Sequence, residues 1–88
     1  MSAILLALTV PPALSATDAM TPAAIHCLET VPTDPKAAAT EAQSLYKAGD
    51  KIGARRCLGD ALVAQGEVTR GARILDELAH DEIGRAHV

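Results

Sequence analysis

The sequence predicts an all-α protein of antiparallel helical hairpins, three main helices preceded by a short one. Three observations carry that expectation. A capping side chain followed by proline recurs at Thr21-Pro22 and Asp34-Pro35, and glycine recurs at Gly49 and Gly66, so the chain is punctuated by helix starts and stops. Between those marks small and apolar residues return at helical spacing, and nowhere does the pattern alternate with the period of a strand. Finally, a shift of 17 residues aligns Leu45 with Leu62, Gly49 with Gly66, Asp50 with Glu67, Ala54 with Gly71, Arg56 with Arg73 and Leu58 with Leu75. That is one helix plus one turn, repeated.

The first 20 residues, MSAILLALTVPPALSATDAM, hold an apolar run broken by Pro11-Pro12 and followed by small residues that suit cleavage after Ser15 or Ala16. This is the plan of a secretory signal peptide over residues 1–16, and the run falls short of the roughly 20 apolar residues of a membrane span. It lacks the usual Lys or Arg at its start, which also fits a start codon chosen inside a longer signal, or a buried N-terminal segment. Residues 17–34 read as a short helix carrying Ala24, Ile25, Cys27 and Leu28, then a proline-rich linker, TVPTDP, that no helix can cross.

Asp34-Pro35 launches the second helix, with Ala38, Ala42, Leu45 and Ala48 on one face and Gly49 as its stop. Asp50 caps the third, whose stripe is Ile52, Leu58, Ala61 and Leu62 and whose stop is Gly66. The fourth is expected from about residue 68 to residue 80, with a wide stripe of Ile74, Leu75, Leu78 and Ala79 that asks for more than one neighbour. Residues 83–88 back-translate to the opening of a common sequencing-library adapter. They read as a non-native tail on a C-terminally truncated bacterial fragment, with the helical region proper at 35–82.

Composition limits the core and the partners. Eighteen of the 88 residues are alanine and Tyr46 is the one aromatic, so burial contributes little per position and packing depends on close backbone approach. A net charge of −3 argues against a general nucleic-acid binder. Cys27 and Cys57 permit one disulfide if the chain is exported, closing a loop of about 30 residues; two buried free thiols are the equal alternative.

These residues resemble a tetratricopeptide (TPR) repeat, a 34-residue helix-turn-helix unit that stacks into an α-solenoid. In one frame residues 35–68 form a repeat: Ala38, Ala42 and Leu45 match first-helix packing positions, Gly49 the turn, and Ala54, Leu58 and Ala61 the second helix. In the competing frame LGDALVAQG is the first-helix signature and residues 68–80 the second helix. The first frame is favoured because Ala54 and Ala61 fall on small-residue positions, where the other places Leu78. The family's aromatic near the repeat start and proline near its end are absent in both.

The resemblance implies a non-enzymatic scaffold, without cofactor or metal, whose groove is lined by first-helix side chains. The candidates are Lys36, Gln43 and Tyr46, with Arg70, Glu77 and His80 at equivalent positions of the next repeat and Arg73 beside them. Such a surface suits an acidic peptide or a C-terminal carboxylate held by arginine; the plainer reading is a set of solvated helix faces. Arg55-Arg56 reads as a solvated step. His26, Cys27, Cys57 and His80 lack metal-ligand spacing, the Asp76, Glu77 and Asp81 carboxylates read as solubilising charge, and neither glycine turn is a phosphate loop. The expected setting is the periplasm or outside the cell, with a protein or peptide partner. Two other roles stay open: the N-terminal scaffold of a larger envelope enzyme or assembly factor, and a structural protein that self-associates through Ile74, Leu75 and Leu78.

Overall fold

The structure is a computed structural model that describes residues 20–86, with side chains through Asp81. The signal expected at 1–16 lies outside the described residues, as do the last two positions of the expected tail. Four helices follow one another: α1 (Pro22–Thr30), α2 (Pro35–Lys47), α3 (Lys51–Ala64) and α4 (Val68–Ala86). No strand occurs among the described residues, and none of their helices is long and apolar enough to cross a membrane.

The starts are set by side chains that satisfy the otherwise unpaired N–H groups of a first turn. The Thr21 hydroxyl accepts from the Ala24 N–H at 3.1 Å, and one Asp34 carboxylate oxygen from the Ala37 N–H at 3.1 Å. One Asp50 oxygen accepts from the Gly53 N–H at 3.0 Å while its other takes the Thr21 hydroxyl proton at 2.7 Å, tying the start of α1 to that of α3.

The stops at Gly49 and Gly66 share one geometry. Gly49 has φ 101° and Gly66 φ 92°, a left-handed conformation that side chains disfavour. At the first turn the Gly49 N–H donates to the Tyr46 carbonyl and the Asp50 N–H to the Leu45 carbonyl, both at 3.0 Å. At the second the Gly66 N–H donates to Val63 at 3.0 Å and the Glu67 N–H to Leu62 at 2.9 Å. These paired bonds satisfy the last carbonyls of α2 and α3 and reverse the chain.

α3 is the one helix that packs against all three others; α1 lies on α2 and α3, and α4 on α3 alone. The core is built from Ala24, Cys27, Ala38, Ala42, Leu45, Ala54, Cys57 and Ala61. Cys27 and Cys57 form a disulfide between α1 and α3, with Cα atoms 6.1 Å apart and both residues fully buried. The Ala38 carbonyl oxygen sits 3.2 Å from the Cys27 sulfur, a packing contact, since a disulfide sulfur has no proton to donate.

α4 differs from expectation in two respects. It continues past His80 to Ala86, because no proline or left-handed glycine interrupts it there. Its stripe is also less open than the sequence suggests: Leu78 is 2% exposed, while Ile74 and Leu75 are half-buried.

Candidate functional site

Because α2 and α4 both flank α3 without packing on each other, a trough remains between them with α3 as its floor. Its volume is about 460 Å³, within the range of small-ligand sites. Ala42 and Leu58 with Ala54 and Ile74 supply the apolar surface, and Gln43, Tyr46, Lys47, Arg55 and Glu77 the polar border. A shallower depression of about 400 Å³ on the opposite side of α3, bounded by Leu28, Val31, Val63 and Leu75, has Asp60 as its one charged residue.

Helix geometry explains the trough. α2 and α4 both run antiparallel to α3, so their C-terminal halves stand side by side at the start of α3. Small Ala42 and Ala54 leave room that larger residues would fill. Tyr46 leans out half-exposed, with the Lys51 ammonium 5.6 Å from its ring centroid, a cation held over an aromatic face.

The expected groove residues divide. Gln43, Tyr46 and Glu77 line the trough; Lys36, Arg70, Arg73 and His80 do not. Arg70 turns back along its own helix to Glu67, at 2.7 Å. His80 donates from Nδ1 to the Asp76 carbonyl at 2.8 Å. That carbonyl is the main reason its imidazole titrates above the usual range, followed by the Asp76 charge and more weakly by Asp81, against a small opposing effect of burial.

Sequence reasoning missed Lys47 and Arg55. Arg55 was expected on a solvated face, yet its side chain is 27% exposed, lines the trough, and reaches Asp81 of α4 at 2.9 Å from Nη2. Its Nε–H is buried with no acceptor among the described residues. The available signal was position: Arg55 precedes Leu58 by three residues, at the flank of the α3 stripe, where a long side chain is partly covered by whatever packs there. Arg56, one step round the helix, is exposed as expected.

No cluster of three or more His, Cys, Asp or Glu side chains able to hold a metal occurs among the described residues. No protein-family model, curated protein or solved structure matches this chain.

Proposed function

We propose that the chain is a non-enzymatic, TPR-like binding scaffold, exported to the periplasm or beyond, whose trough holds a peptide segment of a partner protein. The observation that carries this reading is the trough itself: an apolar floor on α3, walls from two parallel helices, and a border with one aromatic and a few charged groups. Recognition surfaces for peptides use this arrangement, with apolar anchors for affinity and sparse polar groups for register. The buried Cys27–Cys57 bridge supports the exported setting, because such bonds persist in oxidising compartments. The matching turns at Gly49 and Gly66 support the repeat character.

A peptide selection on the folded, oxidised chain tests the reading. Selected peptides should bind the native chain and lose at least about tenfold in affinity to Ile74→Glu and to Tyr46→Ala, each checked for unchanged helicity. Peptides that bind both variants as well as the native chain, or a selection that yields none, count against it.

A further inference from the structure

We propose that Arg55 anchors, in this trough, a carboxylate carried by an apolar ligand; the inference rests on the trough being a binding surface. Two described side chains hold a buried polar atom without a partner, Glu41 and Arg55, and only Arg55 lines the trough. Among the described residues its Nε–H is buried without an acceptor, while Nη2 alone is engaged, by Asp81. A guanidinium presents its donors as a rigid planar fork that a carboxylate can bridge with two parallel bonds, and a buried donor left unpaired is costly.

The Asp81 contact does not answer that demand. Asp81 is 53% exposed and holds Arg55 by a single 2.9 Å ion pair, a class of surface interaction that is weak and readily exchanged. A ligand carboxylate entering between Tyr46 and Ile74 competes with Asp81 for the same guanidinium. Released from Asp81, the side chain rotates to turn its Nε edge into the trough, where Leu58 and Ile74 hold the apolar part of the ligand. Lys47, on the α2 wall, has no ion-pair partner among the described residues and adds attraction for the anion. Glu77 on the opposite wall disfavours a second negative charge nearby, so the fitting ligand is mainly apolar with one acid group. That acid is the C-terminal carboxylate of a peptide, whose backbone the polar border of Gln43 and Tyr46 can also meet.

The experiment uses the oxidised 88-residue chain and two matched probe pairs: octanoate with octan-1-ol, and acetyl-Gly-Ser-Leu-Leu with a free carboxylate or amidated. Binding is followed by NMR at the Leu58 and Ile74 amides and at the Arg55 Nε–H. The free-carboxylate peptide should bind about tenfold or more tightly than its amidated counterpart, and shift the Nε–H resonance. Arg55→Gln should erase that difference, Arg55→Lys should keep only part of it, and Asp81→Asn should tighten the acid several-fold without changing the neutral probe. A response confined to octanoate overturns the peptide assignment in favour of a small amphiphile. Equal binding of acid and neutral probes, or an acid affinity indifferent to Asp81→Asn, overturns the Arg55 assignment while leaving the trough as an apolar site. Failure of every probe to bind removes the trough and the anchor together.

Discussion

Gly59 and Gly71 bring α3 and α4 together backbone to backbone: a Cβ on Gly71 would stand 2.6 Å from the Gly59 carbonyl oxygen. The same atom would lie 2.6 Å from Cγ2 and 2.9 Å from the backbone nitrogen of Val63. Side chains can rotate away, but backbone cannot. Gly71→Ala should therefore force the helices apart and lower stability by about 1–3 kcal/mol, even though alanine favours a helix by about 1 kcal/mol over glycine. At Gly59 the conflict is with Leu75, whose side-chain atoms come within 2.6 Å, and only secondarily with the Gly71 carbonyl at 3.2 Å. Urea unfolding should place Gly71→Ala below Gly59→Ala, with both below the native chain; the reverse order would show that α4 can shift on α3.

Reduction should act first on α1. This nine-residue helix is shorter than the roughly 12–15 residues an isolated helix needs, and its buried residues are Ala24 and Cys27. Closing a loop with sequence separation 30 is worth about 3–4 kcal/mol in the chain-entropy model. Paired Cys27→Ser and Cys57→Ser replacements should lower the midpoint of unfolding, and hydrogen exchange should accelerate in α1 before α3. Uniform acceleration throughout the chain would mean that α1 has no separate dependence on the bridge.

Asp50 and Asp34 offer a matched comparison of caps. Each accepts one first-turn N–H, at 3.0 Å and 3.1 Å, but only Asp50 also accepts the Thr21 hydroxyl across to α1. Asp34→Ala should lose about 1 kcal/mol, the ordinary value of a cap. Asp50→Ala should lose about 1 kcal/mol more, for the second hydrogen bond. Adding Thr21→Val to each variant separates the two effects: it removes the α1 cap in both, and should cost about 1 kcal/mol more in Asp34→Ala, where the bond to Asp50 is still present to be lost, than in Asp50→Ala.

His80 should give stability a dependence on pH near neutrality. Its folded pKa is raised from 6.5, chiefly by the Asp76 carbonyl and then by the Asp76 charge. The protonated form is thus favoured by folding, so its contribution is fully present below pH 6.5 and lost as pH rises through the raised folded value. The group is fully exposed, and the slope should be shallow and suppressed by salt. His80→Ala should flatten it; a His80 imidazole titrating at or below 6.5 by NMR would refute the assignment.

Helix boundaries were legible because their causes are local. Thr21, Asp34 and Asp50 reach N–H groups three residues ahead, and Gly49 and Gly66 supply a backbone conformation that nearby residues cannot. Ala38, Ala42, Leu45, Ala61 and Leu62 could be placed in the core for a similar reason: a helix repeats its faces with a fixed period, and all five are buried, whereas Ala48 and Ala79, expected on the same kind of stripe, are exposed. The α4 end was misjudged where no local stop exists to be read.

The trough was only partly legible. Gln43, Tyr46 and Glu77 came from positional analogy and do line it, whereas Arg70 and His80 came from the same analogy and bond within their own helix instead. Spacing says which residues share a face, not which way a long polar side chain turns on it.

By itself, the sequence determined where the four helices begin, which faces they bury and where the chain reverses, since each of these is decided within a few residues. Tertiary structure decided the rest: that Cys27 and Cys57 meet, that Leu78 is covered, and that Asp81 reaches Arg55 at 2.9 Å. Those outcomes depend on how closely one helix can lie on another. Here the approach is governed by the missing side chains at Gly59 and Gly71 and by the alanines on α2 and α3, whose joint effect appears only once the helices are packed.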